Sequence, residues 1–140
     1  MERVSDHLCR ISWRCPPRSF VSLMTLYESN YIRLGWLIPA LHAAEGRCVS
    51  QVPGDPALYL EVIERTPYTS LLNLSYRLDG AHVPDMQVRV YHDARVAEAH
   101  SCAGAPTGGG ELQRRWARNM MLNKWLEYCA ERGHRFTPGP

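Results

Sequence analysis

Long apolar runs are missing from this sequence. No window approaches the roughly eighteen apolar residues that a membrane-spanning helix needs. Charges interrupt the opening stretch "MERVSDHLCRISWRCPPRS", where a secretory leader would carry an unbroken apolar core. A surplus of one charge is missing too. Sixteen Lys and Arg stand against fourteen Asp and Glu, a formal +2, whereas nucleic-acid binding normally demands a concentrated basic stripe. Zinc spacing is absent: Cys9, Cys15, Cys48, Cys102 and Cys129 are odd in number, scattered, and form no Cys-x-x-Cys. An odd set of thiols without a leader points to the reducing cytosol. These absences disfavour a membrane protein, a nucleic-acid binder and a metal centre, and they point to a cytoplasmic protein.

What is present is globular. Apolar residues make up 45% of the chain and charged ones 21%, and 140 residues suit one domain burying about two thirds of its unfolded surface. Residues 1–18 mix charge, cysteine and Pro16-Pro17, which predicts a loosely attached arm. A helix is expected from Ser19, a good N-cap, to Ile38, because Pro39 stops it. At about 100° per residue, Phe20, Leu23, Met24, Tyr27, Tyr31, Leu34, Leu37 and Ile38 share one face. Ser22, Thr25, Ser29 and Arg33 lie opposite. Asn30 projects from within the apolar face and needs a buried hydrogen-bond partner. Val21, Ile32 and Trp36 form a second apolar strip on the flank, a candidate interface.

The period then changes to two. Segments 47–52, 57–63, 69–78, 86–92 and 95–102 read as strands, separated by Pro53-Gly54-Asp55-Pro56, Thr66-Pro67, Asp79-Gly80 and His92-Asp93-Ala94. Links this short cannot cross over, so an antiparallel meander follows. The glycine-rich stretch "AGAPTGGG" leads to a helix from Glu111 to about Arg132, ended by Gly133. Leu122, Trp125, Leu126 and Cys129 share its inner face. The expected fold is α+β: an N-terminal helix, a meander of about five strands, and a C-terminal helix packed on one sheet face. The single domain spans 19–133, and 134–140 reads as a flexible tail.

Chemistry-bearing residues are sparse. His92 and Asp93 are adjacent, so in a strand they point to opposite faces, and in a turn Asp93 suits backbone capping better than catalysis. Glu98 lies in the following strand. Arg114, Arg115 and Arg118 crowd the start of the last helix, where cations oppose the helix dipole unless an anion sits there. They are the candidate anion-binding residues, although the preceding loop lacks the lysine and hydroxyl of a phosphate loop. Cys48, Cys102 and Cys129 are expected to be buried. Trp36, Tyr68, Tyr91 and Trp116 would suit a binding surface if exposed together.

The segments "LMTLYESNYIRLGWLIP", "YTSLL", "MQVRVYHDARVAEA" and "WLEYC" resemble the YqiB-like bacterial family, a domain of unknown function, over about residues 20–133. The resemblance implies a small cytoplasmic protein and brings no activity, cofactor or catalytic residue with it. Residues 1 to about 15 look like an addition ahead of the family's usual start, and 103–110 look shorter and richer in glycine than the corresponding family loop.

No complete catalytic set, cofactor motif or metal set is visible. The sequence therefore points to a non-enzymatic binding or adaptor protein, with a homodimer or other protein partner meeting the strip Val21, Ile32 and Trp36. The alternative is a sensor or enzyme for a small anionic ligand such as a nucleotide, using Arg114, Arg115 and Arg118 with His92, Asp93 or Glu98 nearby.

Overall fold

A computed structural model describes residues 20–102 and 110–137. Helix α1 covers Phe20–Leu37, and a single 3-10 turn, Leu41–Ala43, leads into the sheet. Strands β1 (Arg47–Ser50), β2 (Ala57–Arg65), β3 (Thr69–Leu78), β4 (Ala81–Tyr91) and β5 (Val96–Cys102) follow, and helix α2 covers Glu111–Arg132. The strands pair antiparallel in the order β1-β2-β3-β4-β5. This is the expected α+β meander, with each strand bonded to its neighbour in sequence.

Alternation divides the sheet into two unlike faces. Leu58 and Leu60 of β2, Leu72, Leu74 and Tyr76 of β3, and Met86, Val88 and Val90 of β4 point to one side and are buried. Leu34 and Leu37 of α1, and Leu122, Trp125, Leu126 and Cys129 of α2, meet them there in one core. Tyr59, Glu61, Asn73, Asp85 and Gln87 occupy the intervening positions and stay partly exposed. Both helices therefore cover the same face, and the other face is left open.

A second cluster lies at the start of the helices, where Leu23, Leu26, Tyr27, Trp116 and Met120 close over Val96. The helix pair and the β5 edge are joined by asparagines. Asn30 Nδ2 donates to the Ala97 carbonyl at 3.1 Å and to Asn119 Oδ1 at 3.1 Å. Asn119 Oδ1 also accepts the Ala99 N–H at 2.7 Å. Asn123 Nδ2 donates to Ser29 Oγ at 2.8 Å and Asn30 Oδ1 at 3.1 Å. Asn30 thus has its buried partner. Ser29 and Arg33, placed on the outer side by periodicity, are 1% and 6% exposed. The cause is α2, which packs along that flank. Arg33 donates to Ser29 Oγ at 2.7 Å and pairs with Glu127 at 3.3 Å.

The last helix ends as expected at Gly133, with φ of 99°, a conformation open to glycine because it lacks a Cβ. Order does not end there. The Phe136 N–H donates to the Leu37 carbonyl at 2.6 Å, and both Phe136 and His134 are buried. The tail expected from residue 134 is held against the body at its start. The arm of residues 1–18 and most of the glycine loop lie outside the described residues. None of the described helices is long and apolar enough to cross a membrane.

Candidate functional site

The open face forms a hollow of about 570 Å³ between β1, β2, β3 and the start of β4. Period-two alternation builds it, since Arg47 and Val49 stand opposite Glu61 and Tyr59, which stand opposite Asn73 and Ser75. Asp85 stands opposite Ser75 on the far side. His82 leans across from β4. Its Nδ1 lies 3.0 Å from Ser75 Oγ, and its ring meets the Tyr59 ring edge-on with centroids 5.8 Å apart. Arg47 Nε donates to Glu61 at 3.3 Å. One cation, two carboxylates, an aromatic ring and several amide or hydroxyl groups therefore line a wide, shallow space. The cation is already matched. That balance suits a polar or polypeptide ligand better than a phosphate.

A second polar cluster sits on the helix side, where the strand-linking turn meets the end of α2. His134 Nδ1 lies 2.9 Å from Ser50 Oγ, and its Nε2 lies 2.7 Å from Asp55 Oδ2. Tyr76 donates to the same Asp55 oxygen at 2.9 Å, and Arg132 pairs with the other at 3.3 Å. Burial pushes the Asp55 carboxyl upward, but hydrogen bonds from His134 and Tyr76, with the charges of His134 and Arg132, hold it below its usual value. An ionised carboxylate only accepts, so His134 Nε2 donates to Asp55, and Nδ1 shares a hydrogen bond with the Ser50 hydroxyl. Serine, histidine and aspartate thus form a chain of the types used in nucleophilic catalysis. The geometry argues for a clamp instead. Ser50 is 6% exposed, its Oγ already accepts the Arg135 N–H at 3.1 Å, and the ring nitrogens are used in the reverse order of a serine-protease triad. The neighbouring thiol is equally quiet: burial pushes Cys129 up to about 11, so it stays protonated at neutral pH.

The residues singled out from sequence are dispersed. His92 and Asp93 lie in the turn between β4 and β5. Asp93 Oδ1 accepts the Ala94 N–H at 3.0 Å, the backbone-capping role open to an aspartate in a turn. His92 Nε2 lies 2.9 Å from Ser70 Oγ while its Nδ1 is buried without a partner. Burial chiefly, with the charges of His42 and Arg65, lowers the His92 pKa, against a smaller opposing effect of Asp93. Glu98 turns the other way, accepting from Tyr91 Oη at 3.1 Å, in the neighbourhood of Tyr27 and Arg115. Arg114 and Arg115 both bond Glu111, at 3.2 and 2.9 Å. The helix thus begins with its own carboxylate between the two guanidinium groups. Arg118 is partly buried, with an unpartnered Nε.

Val21, Ile32 and Trp36 are all exposed, Trp36 at 47%, with the Arg33 guanidinium 5.2 Å above its ring. The four aromatics are not exposed together, since Trp116 is buried in the helix cluster. Cys48, expected to be buried, is exposed, because β1 is the outermost strand on that side. Among the described residues, no three His, Cys, Asp or Glu side chains gather to hold a metal.

Sequence reasoning passed over the hollow and the Asp55 cluster. The hollow had a signal in the polar alternation of "LYLE" and "LNLSY". The cluster had none, because Asp55 and His134 are 79 positions apart.

A family model described as "Protein of unknown function (DUF1249)" matches residues 33–135, which span the whole sheet and α2. Over 132 residues the chain is 31% identical to the uncharacterized protein YqiB of Escherichia coli K12, covering 85% of this chain and 94% of that one. YqiB of Escherichia coli O157:H7 is similar to the same extent. No solved structure matches the chain.

Proposed function

The chain belongs to the DUF1249 family of proteins of unknown function, and from that premise we propose a non-enzymatic binding protein whose recognition surface is the uncovered face of the sheet. One observation carries the reading. The hollow of about 570 Å³ lies on the face that neither helix covers, and its polar groups pair with one another rather than lining up as nucleophile, base and acid. An extended polypeptide segment fits this space, because Asn73 and Asp85 offer hydrogen bonds and Tyr59 offers a flat ring.

A second reading, a sensor or enzyme for a small anionic ligand at Arg114, Arg115 and Arg118, has less support. Two of these arginines already share Glu111. The α1 strip Val21, Ile32 and Trp36 is a further contact surface for a protein partner.

Affinity capture from a native lysate, run beside a metabolite thermal-shift screen, tests the proposal. The Tyr59→Ala/His82→Ala double variant is the comparison. A partner held by the wild type and lost at least tenfold by this variant supports the sheet face. Equal capture by both proteins overturns it, and stabilisation by an anionic metabolite that Arg115→Ala abolishes moves the site to α2.

A further inference from the structure

The two edges of the sheet are treated differently. At β5 two of the outward backbone groups are taken, the Ala97 carbonyl by Asn30 and the Ala99 N–H by Asn119. At β1 neither described helix does the same. The Val62 N–H donates to the Gly46 carbonyl at 2.8 Å, and this fixes which residues face β2. Along an antiparallel ladder the hydrogen-bonding positions alternate. Gly46, Cys48 and Ser50 therefore turn their backbone groups toward β2, and Arg47 and Val49 turn theirs outward. Arg47, Cys48 and Val49 are all exposed. No proline lies in the strand, and the one charge, Arg47, is matched within its own sheet by Glu61. Among the described residues β1 thus lacks the side-chain cover that β5 receives, and its own protection is its shortness, four residues, and Arg47.

The spacing of the outward groups is self-complementary. In an antiparallel pair of two β1 strands related by a twofold axis at Cys48, Arg47 of each copy stands opposite Val49 of the other. Both pairs exchange backbone hydrogen bonds. The two Cys48 residues then form the non-hydrogen-bonded pair at the centre, where Cα atoms approach to about 4.5 Å. This places the two thiols side by side across the axis. The adjoining helix-side surface is a mostly apolar hollow of about 240 Å³, where Ala40, Ala43, Ala44, Leu60 and Phe136 lie beside Cys48 with Glu45 and Thr137 at its polar part. A second copy laid along the edge covers it.

We propose that two copies of this chain join edge to edge through β1, antiparallel about a twofold at Cys48, so that their sheets run on as one. The α1 strip is not the seam of this pair. The open faces of the two sheets lie on the same side, and the hollow of each copy is extended by that of the other.

Sedimentation and oxidative cross-linking test this. The expected wild-type mass is twice that of the single chain. Cys48→Lys sets two like charges face to face and halves the mass, with the melting temperature and circular dichroism of the single chain unchanged. Should Cys48→Lys fail to fold, Val49→Pro, which removes one outward N–H at an edge position that tolerates proline, is read in its place. Trp36→Asp leaves the dimer intact. Mild diamide, which takes up the two thiol protons and their electrons, converts the wild type to a dimer that dithiothreitol reverses, because the separation lies within disulfide range. Cys48→Ala stays dimeric but does not cross-link. A wild-type monomer overturns the proposal and leaves the edge to an extended segment of another protein. A dimer lost in Trp36→Asp but kept in Cys48→Lys, or cross-linking that persists in Cys48→Ala, overturns it equally.

Discussion

Asp55 carries more partners than any other carboxylate described, and its setting makes a testable statement about acid. The folded carboxyl titrates below the unfolded one, so the native state binds fewer protons wherever the two differ. The stability it brings is complete above the unfolded value of about 4 and is lost as pH falls through the folded value. Asp55→Asn is expected to be less stable than the wild type at pH 7 by about 1–3 kcal/mol, the scale for disrupting a buried polar contact. The gap in melting temperature should close as pH falls from about 5 to 2. A gap that stays constant across that range would sink the assignment. At this scale legibility followed distance along the chain. The use of Asp93 in its own turn could be read because donor and acceptor are adjacent. The Ser50–His134–Asp55 chain could not, since His134 reads as part of a tail until the end of α2 is seen beside the β1–β2 turn.

At the scale of elements, the asparagines decide how the helices meet the sheet. Asn119 Oδ1 receives both the Ala99 N–H and the Asn30 amide. Asn119→Ala leaves the Ala99 N–H buried without an acceptor and the Asn30 amide with only the Ala97 carbonyl, at an expected cost of about 2–4 kcal/mol, measured by urea unfolding. Hydrogen exchange at the Ala99 amide should accelerate more than at amides in the middle of β3, and equal acceleration at both would argue against a local role. Both helices and all five strands were legible from period and turn chemistry. Which side of α1 is buried was legible only in part. A single apolar face was read from residue identity, so Ser29 and Arg33 were placed in solvent. They are buried because α2 supplies polar partners, and periodicity weighs hydrophobicity rather than partners.

For the molecule as a whole, the two-layer arrangement makes one main core serve both helices and strands β2 to β5. Leu72 lies at the middle strand with no exposure, under both helices. Leu72→Ala is expected to lower stability by about 2–5 kcal/mol while far-ultraviolet and near-ultraviolet signals still melt together. Separate transitions for sheet and helices would contradict a shared core. The meander, finally, orders events in time. Each hairpin joins neighbours in sequence and can zip as soon as it leaves the ribosome, whereas Asn123 meets Ser29 across 94 positions and must await the synthesis of α2. Until α2 emerges, the Ala99 N–H on the outer rim of β5 lacks its acceptor. The nascent chain therefore passes through a sticky interval that ends only when α2 has been made, and a chain truncated before Asn119 would be left in it for good.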